Sequence, residues 1–283
     1  MLRQLRARDP RGLGLTARSR RTAELGGGGE TADVGFFTDS SICIGCKACE
    51  VACRQWNMVP DHPRFLANSY DNSGSLDADT WRHVAFVEQQ TAHGFRWLMS
   101  SDVCKHCREA ACLEVCPTGA LFRSEFGTVV LQADVCNGCG YCVPACPFGV
   151  ISRREGDGRA FKCTLCYDRL GQDMLPACAK ACPTGSIGFG PAAEMERRAR
   201  DRLERLRAEG VAGARLYGTA DAGGEGVGGA ASIFLLLDRP EIYGLPSEPE
   251  TPARGLAEGW GAAAMAAGAL VLGVVAAVVG GRR

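Results

Sequence analysis

Sixteen cysteines carry most of the chemistry open to this chain, and all of them fall into four spaced groups of four. The first and third groups read C-x2-C-x2-C-x3-C, the second reads C-x2-C-x4-C-x3-C, and the fourth reads C-x2-C-x11-C-x3-C. In chain order the groups are Cys43, Cys46, Cys49 and Cys53; Cys104, Cys107, Cys112 and Cys116; Cys136, Cys139, Cys142 and Cys146; and Cys163, Cys166, Cys178 and Cys182. Four thiolates are the ligand set of one 4Fe–4S cluster. The spacing therefore predicts four such clusters and a chain that carries electrons.

Zinc sites and disulfide bonds are the alternatives to this interpretation. A tetrahedral zinc site needs only two C-x2-C pairs and has no use for a third cysteine two residues further on. An even number of cysteines also suits a small disulfide-linked secreted domain. Here, however, the members of each group lie on short segments, which suits binding of a compact cluster better than linking of distant segments. The spacing favours iron–sulfur clusters over both alternatives.

Cysteines of different groups can share a cluster. In two-cluster bacterial ferredoxins, the fourth cysteine of each run binds the other cluster. Applied to this chain, that rule gives four crossed ligand sets: Cys43, Cys46, Cys49 and Cys182; Cys53, Cys163, Cys166 and Cys178; Cys104, Cys107, Cys112 and Cys146; and Cys116, Cys136, Cys139 and Cys142. The simpler arrangement, in which each group binds its own cluster, stays open.

All four lysines lie in or beside a cysteine group, although the chain also has 28 arginines. They are Lys47, Lys105, Lys162 and Lys180. A thiolate-bound cluster carries net negative charge, and a nearby cation raises its reduction potential. The lysines are therefore candidates for tuning cluster potentials. Shielding of the surface around each loop explains their positions equally well.

The remaining charged and polar residues do not predict catalysis or nucleic-acid binding. Acidic and basic side chains balance to a net charge of zero, which gives no basic surface for nucleic acid. In sequence, none of the four histidines pairs with an obvious acid or nucleophile; they are His62, His83, His93 and His106. The chain is therefore predicted to have no catalytic residue and not to be an enzyme itself.

Two interlocked bacterial-ferredoxin-like modules in an α+β fold, with a C-terminal transmembrane helix, are the predicted architecture. An outer module covers 34–100 and 150–190, an inserted module covers 101–149, and helix, strand and tether follow over 191–255. Residues 1–33 form an arginine-rich extension, disordered or in contact with a partner. The extension has no apolar stretch of the roughly 7–15 residues that a secretory signal needs.

Local patterns predict the elements that position the cysteines. Short apolar runs predict strands over 34–37, 129–131, 186–189 and 232–237, and a hairpin over 81–88 and 95–100. Four apolar residues recur at helical spacing, which predicts a helix that begins at Pro191 and ends at Gly210. They are Met195, Ala199, Leu203 and Leu206.

The C-terminal segment has no charged residue between Gly259 and Gly281. A helix of that length spans about 34 Å, which exceeds the roughly 30 Å hydrocarbon core of a bilayer. We therefore predict a transmembrane helix over 256–281; a buried helix of a soluble core is the alternative. Small residues four apart permit close approach of a neighbouring helix; they are Ala269, Gly273 and Ala277. The terminal Arg282 and Arg283 favour a cytoplasmic C-terminus.

Further motifs accompany the cysteine groups. Trp56-Asn57 follows the first group, Tyr70-Asp-Asn72 precedes Trp81, and Cys163-Thr-Leu-Cys-Tyr-Asp-Arg169 opens the fourth. Gly226-Val-Gly-Gly229 and Tyr243-Gly-Leu-Pro246 precede the C-terminal segment. Over about residues 34–280, this pattern resembles the iron–sulfur subunits of molybdopterin respiratory oxidoreductases, in particular the beta subunit of membrane-bound formate dehydrogenase.

The resemblance implies the crossed ligand sets and a partner at each end of a row of clusters. The set that contains Cys43 and Cys182 faces a catalytic alpha subunit, which holds a molybdenum or tungsten pterin and oxidises formate. Electrons pass through the sets that contain Cys53 and then Cys104. The set that contains Cys116 delivers them to a membrane cytochrome b gamma subunit and quinone. The family location is the inner membrane, with the cluster domain periplasmic, after export on the signal of the catalytic subunit.

Two other functions stay open at this stage. An electron-transfer subunit with the same clusters could belong to a hydrogenase, a polysulfide reductase or a thiosulfate reductase, because the simple cysteine runs are common to many families. A structural zinc protein without a redox role is the second alternative, and metal analysis distinguishes it from a brown, iron-containing protein.

Overall fold

The computed structural model describes residues 33–60, 70–91 and 94–280. Within that part of the chain the strands are β1 (Val34–Asp39), β2 (Arg82–Thr91), β3 (Gly94–Val103), β4 (Leu121–Arg123), β5 (Val129–Leu131), β6 (Ser152–Arg153), β7 (Ala160–Phe161), β8 (Ile187–Pro191), β9 (Arg215–Tyr217) and β10 (Ser232–Leu236). The helices there are α1 (Ala48–Asn57), α2 (Ala111–Glu114), α3 (Cys142–Ala145), α4 (Tyr167–Leu170), α5 (Ala177–Ala181), α6 (Ala192–Ala208) and α7 (Leu256–Gly280). Short 3-10 helices cover Ser40–Ile42, Glu225–Val227 and Pro240–Tyr243.

Some of the predictions from sequence fall outside the described residues. They concern the extension over 1–33 apart from its last residue, His62, His93, Gly281, Arg282 and Arg283. The division into an outer module over 34–100 and 150–190 and an inserted module over 101–149 stays a prediction.

Among the described residues, a four-stranded sheet has the strand order β8-β1-β10-β9. It brings the two ends of the cysteine region together. β1 pairs in parallel with β10 and antiparallel with β8, so that Phe36 lies opposite both Ser232 and Phe189. Every residue of β1 and β10 is buried, as expected for central strands that are covered on both faces. The residues just before the first cysteine group therefore lie beside those that follow the last.

The two faces of this sheet pack into different cores. Because side chains alternate along a strand, Phe37 and Leu235 face α6, whereas Phe36 and Phe234 face the opposite side. The core on that opposite side contains buried cysteines from three of the four groups, namely Cys49, Cys104, Cys163 and Cys178. The sheet thus separates an ordinary apolar layer from the layer that carries the thiols.

Most predicted elements are confirmed. The hairpin is β2 and β3, which pair from Arg82 opposite Val103 to Thr91 opposite Gly94. The strands predicted at 34–37, 129–131, 186–189 and 232–237 correspond to β1, β5, β8 and β10. The predicted helix is α6, and three of its four predicted apolar positions are buried, namely Met195, Ala199 and Leu206.

Gly35 is required by the close parallel pairing of β1 and β10. A Cβ at this position would lie 2.2 Å from the carbonyl oxygen of Ala231, a backbone atom that cannot move aside cheaply. We expect Gly35→Ala to lower the free energy of unfolding by about 1–3 kcal/mol, the usual cost of overpacking. Chemical denaturation under anaerobic conditions measures this change.

Gly188 on β8 is the matched control for Gly35, since it pairs with Phe37, two residues further along β1. A Cβ on Gly188 would meet its nearest atoms at 3.5 Å, which is ordinary contact. Gly188→Ala should therefore change stability little. Equal losses in the two variants would contradict the assignment of the effect to the Ala231 carbonyl.

The C-terminal helix α7 is present over the predicted segment, and alanine and glycine make up more than half of residues 259–281. Its large apolar side chains include Trp260, Leu270 and Leu272, which are 72–73% exposed. Among the described residues, no helix has both the length and the apolarity needed to cross a bilayer. The transmembrane helix predicted over 256–281 is not confirmed.

Candidate metal centres

The first cysteine loop turns through two left-handed backbone positions. Gly45 has φ +64° and Lys47 has φ +58°, and α1 begins directly after Lys47. A Cβ on Gly45 would lie 2.6 Å from the ring of Phe86, so glycine allows the β2–β3 hairpin to pack tightly over the loop. The loop and the N-terminal part of α1 together present Cys43, Cys46 and Cys49.

Cys182 completes a group with these three thiols, although it belongs to the last cysteine run. It follows α5, which packs against α1. One small cavity is lined by all four residues, Cys43, Cys46, Cys49 and Cys182. Burial raises the pKa of the Cys43 thiol, and the thiolates of Cys182 and Cys46 raise it further.

A second group forms around Cys53, the fourth cysteine of the first run. Burial raises the pKa of this thiol well above its usual range, and the neighbouring thiolates of Cys163, Cys178 and Cys166 add to the rise. Burial likewise raises the pKa of Cys166 to about 11. The Nδ2 atom of Asn57, one turn further along α1, donates to the Cys53 sulfur over 3.5 Å.

A third group joins the first three cysteines of the second run to the last cysteine of the third. Burial raises the pKa of Cys107, with further contributions from the thiolates of Cys104, Cys146 and Cys112. The pKa of Cys112 is raised to about 12 by burial, while the Lys162 cation acts in the opposite direction.

The fourth group lines a second small cavity. Its cysteines are Cys116, Cys136, Cys139 and Cys142. Burial raises the pKa of Cys142 to about 11, and the thiolates of Cys136, Cys139 and Cys116 contribute. The tight turn here again needs glycine, because a Cβ on Gly138 would lie 2.7 Å from the Gly158 carbonyl oxygen.

In each of these four places, three cysteines of one run lie near the fourth cysteine of another. None of the sixteen cysteines forms a disulfide bond. In the described residues, no cluster of His, Cys, Asp or Glu converges closely enough to hold a single metal ion. A 4Fe–4S cluster does not need such convergence, because its four thiolates bind different irons of a larger body.

Two buried nitrogen atoms test whether these groups fit iron–sulfur clusters. Nε of Arg82 and Nε2 of His106 are buried and have no hydrogen-bond partner among the described residues. Buried donors without a partner are rare in native proteins. The inorganic sulfides of a cluster are acceptors that could satisfy them. The raised thiol pKa values agree, because buried thiolates need the positive charge that iron supplies. The residues fit the cofactor.

Comparison with known proteins decides the family. Two models, each described as a 4Fe-4S dicluster domain, match residues 42–120 and 95–192. The nitrate-inducible formate dehydrogenase iron–sulfur subunit of Escherichia coli K12 is 41% identical over 223 residues, which are 77% of this chain and 74% of that protein. The chain belongs to the family of formate dehydrogenase iron–sulfur subunits. The formate dehydrogenase iron–sulfur subunit of Haemophilus influenzae is also 41% identical, over 77% of the chain and 70% of that protein.

This iron–sulfur subunit has a more distant relative in a subunit of the anaerobic dimethyl sulfoxide reductase of Escherichia coli K12. The two are 38% identical over 168 residues, which are 59% of this chain and 78% of that protein. The dicluster matches and the sixteen cysteines together give the subunit four 4Fe–4S clusters and an electron-transfer function. The predicted family and cofactors are confirmed.

The four lysines predicted to tune the cluster reduction potentials of the subunit lie in different environments. Lys105 and Lys162 are 1% exposed. Nζ of Lys162 donates to the Cys163 carbonyl oxygen over 2.9 Å, and that of Lys105 donates to the Val103 carbonyl oxygen over 3.0 Å and pairs with Asp102. Lys47 instead pairs with Glu50 at 3.1 Å. Lys180 is exposed.

Lys162→Met should lower the reduction potential of at least one cluster. The lysine is buried and its cation acts on Cys112. Two unit charges roughly 8–16 Å apart interact by about 1–2 kcal/mol at an effective dielectric constant near 20. A redox titration followed by EPR measures the shift. The exposed Lys180→Met is the control, and equal shifts in both variants would contradict a role for burial.

His83 has acidic and hydroxyl partners that its position in the sequence did not indicate. Its Nδ1 lies 2.9 Å from the Ser73 hydroxyl, and its Nε2 lies 3.5 Å from Asp71. The same hydroxyl donates to Glu50 over 3.2 Å. The partners are ten or more residues away in sequence, so spacing alone gave no sign of them. The network ties the segment after residue 70 to β2.

Arg82 and Ser101 are further residues beside the cysteines that the sequence did not indicate. Nη2 of Arg82 donates to the Cys178 sulfur over 3.3 Å, and the Ser101 hydroxyl lies 3.3 Å from the Cys49 sulfur. Although burial acts against it, the pKa of Arg82 is raised by the thiolates of Cys178 and Cys49. In a chain of 28 arginines, nothing in the sequence marks this one.

Proposed function

We propose that this subunit passes electrons from a molybdopterin catalytic subunit that oxidises formate to a membrane cytochrome b subunit and quinone. The observation that carries the proposal is the electrostatic interaction between successive cysteine groups. Thiols of neighbouring groups interact electrostatically: Cys49 with Cys178, Cys163 with Cys104, and Cys112 with Cys142. These interactions support an order in which the first group neighbours the second, the second the third, and the third the fourth.

The proposed ligand sets are the crossed ones. They are Cys43, Cys46, Cys49 and Cys182; Cys53, Cys163, Cys166 and Cys178; Cys104, Cys107, Cys112 and Cys146; and Cys116, Cys136, Cys139 and Cys142. Two shared cavities and the mutual influence of the thiols within each set support this assignment. Each cluster, when bound, supplies a centre that accepts and releases one electron at a time. The chain itself buries the thiols and fixes the succession of the sets.

The ends of this succession are proposed to face the two partner subunits. Cys46 in the first set and Cys139 in the fourth set are the exposed cysteines, whereas the second set consists entirely of buried ones. Exposure at both ends suits a chain that receives electrons at one surface and delivers them at another. Formate oxidation would take place on the catalytic subunit, which makes this chain a non-catalytic part of the complex.

Location at the inner membrane is a further part of the proposal. The exposed apolar side chains of α7, such as Leu270 and Val271, suit contact with the membrane partner. The cluster domain would be periplasmic. Cross-linking of α7 to the cytochrome b subunit in isolated membranes tests the contact, and protease treatment of intact spheroplasts tests the side on which the cluster domain lies.

The experiment that tests the proposed function uses the complete complex, purified anaerobically. Formate should bleach the cluster absorption within the turnover time and reduce a quinone analogue catalytically. Hydrogen, polysulfide and thiosulfate, tested as alternative redox partners, should not support turnover. Turnover with one of these but not with formate would contradict the formate assignment and leave the electron-transfer function in place. Dimethyl sulfoxide belongs in the same series because of the relative that is part of a dimethyl sulfoxide reductase.

A further inference from the structure

Arg82 lies between the first two cysteine sets. It is the first residue of β2 and only 2% exposed. Its Nη2 donates to the sulfur of Cys178, in the second set, over 3.3 Å. Its Nη1 donates to the carbonyl oxygen and the hydroxyl of Ser101 over 3.2 and 3.3 Å. The planar guanidinium is thus held from two directions.

Ser101 extends this contact to the first set. Its hydroxyl lies 3.3 Å from the sulfur of Cys49 and is buried. Since Arg82 donates to that hydroxyl oxygen, the hydroxyl proton is left to point at the Cys49 sulfur. The hairpin pairs Arg82 with Val103 and Val84 with Ser101, which puts the two side chains at the same end of the sheet. One arginine therefore contacts one cysteine set directly and another through a single hydroxyl.

The charge of Arg82 is not balanced by a carboxylate among the described residues. The ring of Phe36 lies 5.0 Å from its guanidinium carbon and forms an apolar wall. A buried cation is strongly destabilising unless an opposite charge compensates it. Its nearest anionic groups are the cysteine thiolates of the two sets. The cation is therefore placed where only negatively charged clusters can compensate it.

We propose that Arg82 is a positioning residue that serves as a shared counter-charge for the first and second clusters and raises both reduction potentials together. The proposal rests on the crossed ligand sets proposed above. Reduction adds one negative charge to a cluster, and a fixed cation and hydrogen bonds to the sulfurs favour the reduced form. A common counter-charge raises the two potentials together and so leaves the difference between them little changed.

The test is an EPR-monitored redox titration of the anaerobically purified complex with Arg82→Gln. Two of the four midpoint potentials should fall by about 59 mV each. For a one-electron couple, this shift is a tenfold decrease in the equilibrium constant for reduction. The other two clusters are internal controls and should not move. Arg96→Gln, at the far end of the same hairpin and paired with Asp238 at 3.2 Å, should leave all four potentials unchanged.

Two milder variants decide the question if Arg82→Gln fails to retain its clusters. Arg82→Lys keeps the charge, so both potentials should stay within about a factor of three in the equilibrium constant of those in the unsubstituted complex, which is about 30 mV. Ser101→Ala removes the hydroxyl that links Arg82 to Cys49 and keeps the bonds of the arginine to the residue 101 carbonyl and to the Cys178 sulfur. The potential of the first cluster should therefore fall and that of the second should stay.

Several results would overturn the role of Arg82. These are four unmoved potentials at full iron content, a shift confined to one cluster in the arginine variants, or equal shifts with lysine and glutamine. Each of them leaves electron transfer from formate intact. Failure of the proposed function is seen separately, as the absence of cluster reduction by formate in the unsubstituted complex.

Discussion

Cys182→Ala is expected to abolish or convert the same cluster as Cys43→Ala, although the two cysteines lie at opposite ends of the cysteine region. They line one cavity, and the Cys182 thiolate raises the pKa of Cys43. A site with three ligands either loses its cluster or keeps a three-iron form. The EPR spectrum of either variant should therefore lack one and the same 4Fe–4S signal, and the other three should remain.

Cys163→Ala is the matched comparison, since it belongs to the same run as Cys182 but to a different proposed set. It interacts with Cys166 and Cys178, so its loss should remove a different signal, the one also lost in Cys53→Ala. If Cys182→Ala and Cys163→Ala remove the same signal instead, each run holds its own cluster. That outcome would contradict the crossed ligand sets.

Removal of all four clusters is expected to unfold the cysteine-bearing cores while the layer between α6 and the sheet persists longest. The core around β4 and β5 has few large apolar residues, among them Leu121, Val129 and Ile151, and is completed by cysteines. Whole domains are stable by only about 5–15 kcal/mol. Loss of the bonds between cysteines and clusters should cost more free energy than this core contributes to the stability of the domain. The reason is that metal binding energy in small metal-bound domains is folding energy.

Hydrogen exchange under anaerobic chelation measures this order of unfolding. Amides of β4 and β5 should lose protection first. Those of β10 should follow late, because Ile233 and Leu235 pack on Met195 and Ala199 in a core that contains no cysteine. Loss of protection in one step across both regions would contradict the separation of the two cores. Reconstitution with iron and sulfide should restore protection of β4 and β5.

Local patterns in the sequence were sufficient to predict those elements that have a regular spacing of apolar residues or cysteines, or a continuous apolar composition. The stripe of Met195, Ala199 and Leu206 predicted α6, and the continuous apolar run at 232–237 predicted a buried strand that is β10. Cysteine spacing alone predicted the iron–sulfur clusters. In each case the neighbours that create the pattern lie within one helix, strand or loop.

What the sequence could not show depends on pairing between distant segments. Arg82 and Ser101 reach the cysteines only because the hairpin register brings them together, and His83 meets Ser73 through the fold of an irregular segment. The strands β6 and β7 have two residues each, which is too short for an alternation of apolar and polar residues to be recognised in the sequence. For the lysines, sequence position next to a cysteine did not distinguish the buried Lys162 from the exposed Lys180.

Iron and acid-labile sulfide per chain are the most direct measure of whether the four thiol sets all hold 4Fe–4S clusters. Anaerobically purified protein, with its concentration fixed by amino-acid analysis, should contain about 16 iron and about 16 sulfide per chain, four of each for every cluster. Zinc should be negligible in the same sample. About half that iron, or zinc bound in place of iron, would contradict the account.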